Sequence, residues 1–516
     1  MAIVANAVEF PGFVRVLRTA SVSQIVTSIA AILLLRWITR GIYRVYFHQL
    51  SKFPGPKFAA FTRLPQLKAV YSGTEHLRMA QLHEEYGDIV RYSPDEISVR
   101  NPQAWRDIYG YGSKGTPGSA PPKYWAKYGT AANGASSLVN VQSPFEHGRM
   151  RRIFNPAFSD RALKQQEPLF TKYVNQMVQV VRDGISKDPN HKFDMVRLFN
   201  FTTFDVMGDL TFGEPLHMLD KNDYDPWVAV IFTSIKIATK LSVLGYYPLI
   251  SQIVKVVLGP AISKKRMEHF NHAVTRVTKR LEKGRETEGV DLWDYVLSQD
   301  EGRGLSRPEM DANSSLFMMA GTETTATVLS GFTYLLLSNP DVKQKLVEEI
   351  RGAFSSSDDM SMEAIATLPY LNACIKETLR RYPPVVAGLP HLTPSDGSTI
   401  CGQFVPPGTV VSTPHLAMYT SSKFFKDPLE FHPERWLGDE RYADDNRAAL
   451  QPFSVGARDC LGKNMAQHEM RLIAAKMLYN FDLELCPESN GWSDQNTYML
   501  WEKHPLMVKL SPAVSS

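Results

Sequence analysis

Cysteine is scarce. Four occur in 516 residues, at 374, 401, 460 and 486, and none stands in a Cys-x-x-Cys spacing. That excludes a disulfide framework and fits a body in a reducing compartment. Excess charge is also scarce. The net charge is +4 with a pI near 8.6. This is too mild to argue for nucleic acid, though it permits an acidic partner or an anionic membrane surface. Internal repeats and low-complexity tracts are missing. There is no Gly-x-Ser-x-Gly elbow, and "HEMRLIA" at His468 lacks the second histidine of a zinc-protease helix. "GYGSKG" (Gly110 to Gly115) matches Gly-x-Gly-x-x-Gly but has no strand before it and no helix-forming run after it. It reads as a flexible loop, not a dinucleotide site. Asn200 and Asn313 begin Asn-x-Ser/Thr triplets, which a cytoplasmic body would not glycosylate.

What is present is apolar mass. Hydrophobic residues make up 44% of the chain and charged residues 21%, enough to build a large core. The stretch "SVSQIVTSIAAILLLRWI" (Ser21 to Ile38) is long enough for a bilayer span, with Arg36 able to snorkel. An interfacial amphipathic helix is the alternative. Arg15 and Arg18 precede it; Arg36, Arg40, Arg44 and Lys52 follow. The excess after the span puts the body on the cytoplasmic side. The predicted organisation is a short non-cytoplasmic tail over 1–20, a transmembrane anchor over 21–40 and a basic, Pro-rich hinge over 41–58. A single large body then fills 59–510. Pro54-Gly55-Pro56 cannot continue a helix and reads as the stiff part of the hinge.

Along the body the pattern is mainly helical with a minor sheet. "EHLRMAQLHEEYG" predicts a helix, "DIVRYS" and "EISVR" predict strands, and long helices are expected over 306–354. "STICGQFVPPGTVVST" predicts a hairpin around Pro-Pro-Gly. The apolar run Asp225 to Gly259 reads as buried core helices, the commoner case. Its alternative is a helix pair that caps a pocket and touches the membrane.

One cysteine stands apart. In "PFSVGARDCLG" the positions Phe453, Gly456, Arg458, Cys460 and Gly462 form a pattern that arises by chance in on the order of one chain in ten thousand of this length. Gly456 permits a tight turn. Cys460 precedes a helical run, whose start favours a thiolate. Gly462 lets backbone approach a flat ligand, and Arg458 offers a fork for a carboxylate. Together these suggest haem with a cysteine axial ligand, Cys460 being the metal ligand. Here the sequence resembles the cytochrome P450 family.

Other segments carry the same resemblance. "AGTETT" (Ala320 to Thr325) matches the family's oxygen-activation motif on a kinked helix. The resemblance gives Thr324 the task of hydrogen-bonding dioxygen and Glu323 that of feeding protons. Gly321 and the β-branched residues around it are poor choices for an uninterrupted helix. Glu377 and Arg380 of "KETLRRYPP", with Arg435 of "FHPERW", match a buried structural network behind the cysteine loop. Trp436 replaces the usual Phe, a change of packing only. His147 and Arg151 of "HGRMRR" match the pair that holds a haem propionate, with His in place of Trp. His391 stands where many relatives place an arginine for the other propionate. By family position Phe317, Met318, Val386, Leu389 and Met499 line the substrate pocket, and their apolar character implies a lipophilic substrate.

The resemblance therefore implies a cytochrome P450 fold, mainly α with a minor β part, behind one N-terminal membrane-anchor helix. It implies haem b, with electrons from NADPH through a separate reductase and cytochrome b5 as a further possible donor. Arg152, Arg458 and Lys463 are candidates to dock the reductase. The other expected partners are the lipid bilayer and a lipophilic small molecule; nucleic acid is not among them. The expected location is the endoplasmic reticulum membrane, single-pass, with a cytoplasmic catalytic domain. "VYFHQLSKFPGPK" and "HPLMVKLSP" look similar to filamentous fungal members that tailor polyketides or terpenoids. The alternatives are a xenobiotic or fatty-acid oxidising member, a haem-thiolate isomerase or dehydratase, and a non-catalytic haem sensor. Family members that do without dioxygen typically lack the motif threonine, which is Thr324 here.

Overall fold

A computed structural model describes residues 21–111, 121–124, 127–284, 291–297 and 304–513. The expected tail over 1–20 and most of the loop read at Gly110–Gly115 lie outside them. Helix α1 (Val22–Tyr46) opens on Ser21, which forms a capping box with Gln24. It is apolar and almost wholly exposed, and long enough to cross a membrane. It continues past residue 40, so Arg40 and Arg44 belong to the helix and the link begins only at Phe47. The foot of α1 is docked on the body. A Cβ on Gly41 would lie 2.1 Å from the Phe61 ring, and Trp37 packs edge-on against the same ring.

The predicted hinge is not loose. The Pro54 carbonyl accepts the Arg91 amide at 2.7 Å, which pins it to strand β1 (Ile89–Ser93). A four-stranded sheet follows in the order β1, β2 (Glu96–Val99), β7 (Val410–Ser412), β4 (His391–Leu392). The predicted Pro-Pro-Gly hairpin is corrected here. Strands β5 (Ser398–Ile400) and β6 (Gln403–Val405) pair around Cys401 and Gly402. The strand after Pro-Pro-Gly, β7, leaves to run parallel to β2. Positive φ at both Cys401 and Gly402 suits a two-residue hairpin turn, whereas a proline in a paired strand removes a donor. A second sheet has the order β3 (Lys192–Asp194), β11 (Met507–Pro512), β8 (Phe481–Leu485). Strands β9 (Thr497–Tyr498) and β10 (Leu500–Trp501) form a short hairpin.

Helices make the rest of the body. Those that build the site are α2 (Pro144–Phe154), α3 (Met195–Phe212), α4 (Pro248–Val257), α5 (Arg307–Leu337), α6 (Pro369–Arg381) and α7 (Lys463–Asn480). Helix α5 runs 31 residues without a break and packs along α3. The expected interruption at Gly321 does not occur. That glycine serves packing instead, because a Cβ there would lie 2.8 Å from Met207 Sδ on α3. Asn200 and Asn313 are buried within α3 and α5.

The run from Asp225 to Gly259 departs from the core reading in its second half. On α4, Leu249 is 79% exposed and Val256 75%, with Ile253 and Val257 nearly as open. The turn before α4 is tied to the body, since the Arg63 guanidinium sits 3.9 Å from the Tyr246 ring. The alternative of a membrane-touching helix fits this exposure.

Candidate functional site

The cysteine loop is fixed by backbone. Gly456 has φ +82, and a Cβ on it would meet the Tyr109 carbonyl at 2.2 Å, so only glycine fits. The Cys460 amide then donates to the Phe453 carbonyl at 2.9 Å. The Cys460 side chain is nonetheless accessible, just ahead of α7. Burial of the loop raises its thiol pKa, while the Gly462 amide, Arg151 and Lys463 pull it down. A bound cation would complete the shift, because a coordinating thiol is deprotonated. Gly462 is open: a Cβ there meets only Phe158, at 3.9 Å. Protein packing does not demand that glycine, and a flat group beside Cys460 would.

Across the core, α5 presents an accessible stripe. Ala320 is exposed in the middle of this central helix, and Leu316, Met319 and Thr324 are partly so. These positions share one helix face by their i, i+3/i+4 spacing. Thr324 donates its hydroxyl to the Ala320 carbonyl at 2.6 Å. Phe317 and Met318 do not belong to the stripe. Both are buried in the main core, and Phe317 packs edge-on against Phe154 of α2, centroids 4.8 Å apart. Their rotation off the stripe is the reason, so the partly exposed apolar side chains of this part of α5 are Leu316 and Met319.

Next to Thr324 in the chain, Glu323 is covered. Its Oε1 forms an ion pair with Lys503, which lies between β10 and β11. Lys503 Nζ also donates to Thr327 Oγ1 at 2.6 Å, and that hydroxyl donates to Glu323 Oε1 at 3.3 Å. Glu323 Oε2 is buried with no partner among the described residues.

A third group gathers nitrogen-bearing side chains. Lys123 is joined to His391 by an isolated β-bridge. Burial, then Arg458, lowers the Lys123 pKa to about 7. Burial, followed by Arg458, Arg151 and Lys123, depresses His147 to about 3. Burial, with Lys123 and Arg458 adding to it, lowers His391 to about 4. None of Lys123, His147, His391 and Arg458 has a carboxylate partner among the described residues. Two propionates would supply what this set lacks, so the residues fit haem: a thiol, an open glycine and an uncompensated basic cluster. Arg151 is different. It donates to the Ala457 and Asp459 carbonyls at 3.0 and 2.8 Å and pairs with the Asp459 carboxylate. Its guanidinium braces the cysteine loop, a correction to the propionate role expected of it. Arg458 likewise turns inward, to the Val141 and Gln142 carbonyls, which removes it from the docking set. Arg152 and Lys463 are exposed.

Behind the loop, Glu377 is fully buried with two guanidiniums. Arg380 grips it through Nε at 2.9 Å and Nη2 at 2.6 Å, and Arg435 Nε adds a contact at 3.1 Å. Burial alone would raise this carboxyl's pKa; Arg380 and Arg435 hold it below its usual value. Trp436 is more than packing. Its indole N–H donates to Glu377 Oε2 at 2.9 Å, a bond that phenylalanine cannot make.

Of the remaining pocket candidates, Val386 is buried and Leu389 half-buried. Met499 sits at the tip of the β9–β10 hairpin with φ +68 and is 53% exposed. Lys123 and Lys503 escaped the sequence reading. Neither sits in a motif, and each reaches its group through a long-range backbone pairing or anchor that no local pattern encodes.

The comparisons agree with this chemistry. The family model described as Cytochrome P450 matches residues 53–510. Cytochrome P450 monooxygenase FUM2 of Gibberella moniliformis is 47% identical over 478 residues, covering 92% of this chain and 100% of that protein. Cytochrome P450 monooxygenase efuB of Hormonema carpetanum is 44% identical over 479 residues, covering 92% and 94%. Cytochrome P450 monooxygenase astJ of Aspergillus oryzae is 40% identical over 477 residues, again covering 92% and 94%.

Proposed function

The chain belongs to the cytochrome P450 family, and on that membership we propose that it oxygenates a lipophilic small molecule as a tailoring step of fungal secondary metabolism. It is a P450 monooxygenase, using haem b and electrons that NADPH supplies through a reductase. The observation that carries the proposal is the accessible stripe of α5: apolar Leu316, Met319 and Ala320 run directly into the Thr324 hydroxyl, with Glu323 beside it.

Cys460 would ligate the iron, and Lys123, His147, His391 and Arg458 would hold the propionates. When bound, haem supplies dioxygen activation and the oxidising chemistry. The chain's own residues orient, exclude and deliver. The apolar stripe desolvates and positions the substrate. Thr324 Oγ1 is the hydroxyl that passes a proton on, and the Glu323 carboxyl is the group that resupplies it. The Glu377 network and Arg151 hold the cysteine loop in place.

The exposed apolar face of α4 together with α1 supports a body resting on a bilayer. We place it at the endoplasmic reticulum, catalytic domain to the cytoplasm, with Arg152 and Lys463 facing the reductase and cytochrome b5 as a second donor. The test is a microsomal assay with reductase, NADPH and labelled dioxygen over a panel of lipophilic fungal metabolites. NADPH-dependent products carrying one labelled oxygen are expected. Cys460→Ala should abolish turnover; a Cys460→Ala protein with haem and full turnover overturns the reading.

A further inference from the structure

We propose that Lys503 is a positioning residue for Glu323: with Thr327 it ties down carboxylate Oε1, so that Oε2 is the one atom free to take up and release the transferred proton. This rests on the functional reading above, and it deepens that reading by assigning the proton-handling atom and the side chain that selects it.

The geometry is asymmetric. Oε1 receives the Lys503 ammonium and the Thr327 hydroxyl, and Lys503 also donates to that hydroxyl, closing a three-membered ring of contacts. Oε2 receives nothing from the described residues. Glu323 and Lys503 side chains are 3% and 4% exposed. A buried oxygen without a donor is costly, of the order of 1–3 kcal/mol in a neutral group and more in a charged one, and such defects concentrate where function requires them. The aromatic groups facing the carboxylate are Tyr224 and Tyr382, both of which feel its charge. Tyr382 is committed to Gln495, to which it donates at 2.8 Å. Asn200 donates to the Tyr224 oxygen at 2.9 Å.

The lysine arrives on a braced segment. Trp501 donates to the Pro383 carbonyl at 2.7 Å and stacks on Tyr382. The Glu502 amide donates to the Asn496 carbonyl at 2.9 Å. The His504 carbonyl accepts the Trp492 indole at 2.8 Å. Bracing on both sides of Lys503 fixes where its ammonium stands. A carboxylate gripped at one oxygen by a fixed cation cannot spin freely, so its second oxygen keeps a constant direction while the proton comes and goes. The Lys503 contact with Oε1 persists through the cycle; a proton arriving at Oε2 leaves a neutral carboxyl beside the ammonium, and its departure from Oε2 restores the carboxylate and the ion pair.

The test uses the full-length, haem-loaded enzyme. Lys503→Met should lower kcat ten- to a hundred-fold with KM within about two-fold, because only the proton step is disturbed. It should raise the solvent deuterium isotope effect and divert NADPH consumption to hydrogen peroxide. Lys503→Arg should restore part of kcat, and Thr327→Val, which removes the shared hydroxyl without touching charge, should give a smaller fall in the same direction. The readout independent of turnover is a double-mutant cycle in thermal unfolding. Lys503→Met should destabilise the wild-type background and have little effect in Glu323→Gln. Unchanged kcat and isotope effect in Lys503→Met, or an equal fall in kcat in the Glu323→Gln background, overturns the assignment. So does additivity in the unfolding cycle. If the wild-type enzyme forms no oxygenated product, the functional reading fails instead, whatever the unfolding cycle returns.

Discussion

Glu377 and Glu323 are both buried carboxylates paired with a cation, yet their surroundings differ in kind. Glu377 lies between two arginines, with the Trp436 indole and the His432 amide also donating to it. Both of its oxygens are occupied. Glu323 has one lysine and one hydroxyl, all on Oε1, and a bare Oε2. A saturated network has one low-energy arrangement and serves as scaffold. An unsaturated one retains a site where a proton can be gained or lost. A third carboxylate extends the series. Glu469 on α7 is buried with no ion-pair partner among the described residues; burial raises its pKa to about 8, opposed by a hydrogen bond with Thr325 of α5. Glu469 Oε1, like Glu323 Oε2, has no partner among the described residues; what sets Glu323 apart is the cation held on its other oxygen.

The largest effect should come from breaking the saturated member. Glu377→Ala leaves Arg380 and Arg435 buried without their anion, and removing one partner of a buried pair costs about 3–5 kcal/mol. The expected outcome is loss of haem incorporation. It is checked by the carbon monoxide difference spectrum and by recovery of folded protein. Glu323→Gln should keep both at wild-type levels, so equal damage from the two substitutions would erase the distinction.

How far the sequence alone carries this contrast depends on reach. Glu377 and Arg380 are three residues apart on one helix, so their pairing is local and legible. The cysteine loop is legible for the same reason: its turn, amide contact and helix start fall within ten residues. The fold class follows from long helical runs. What is not legible involves partners from distant segments. Lys503 lies 180 residues from Glu323, and Lys123 meets His391 through a bridge between remote strands. The rotation of α5 buries Phe317 and Met318 and leaves Leu316 and Met319 partly exposed, and that rotation is set by packing against neighbouring helices. The Pro-Pro-Gly hairpin misled because β7 has a better partner, β2, some three hundred residues earlier.

The next effect tests the end of the series. Burial pushes the Glu469 carboxyl up to about 8 from an ordinary value of 4.5. A raised folded pKa means stability is fully present below the unfolded value and is lost as pH rises through the folded one. Glu469→Gln should therefore leave the melting temperature unchanged near pH 4. It should raise it near pH 8, where the wild type carries a penalty of about 4 kcal/mol. Glu377 has the opposite sign: its lowered pKa gives stability that is present above about 4.5 and is lost as pH falls. Melting curves of Glu469→Gln and Glu377→Ala should both part from wild type toward pH 8, the first above it and the second below it, and approach it as pH falls.

The smallest effect probes whether saturation itself matters. Trp436→Phe removes one of the donors on Glu377 while keeping an aromatic ring and both arginines. A hydrogen bond to a charged group contributes about 1.5–3 kcal/mol, and Arg380 Nε at 2.9 Å still reaches the oxygen that loses the indole. The net loss should be about 1 kcal/mol, lowering the melting temperature by about 2 °C with the haem spectrum and turnover unchanged. The remaining donors are bidentate and rigid, and so the loop in front of them does not move. A fall in turnover larger than the fall in stability would mean that the Glu377 network tunes the cysteine ligand electronically, and the line drawn between scaffold and chemistry would then run through Trp436.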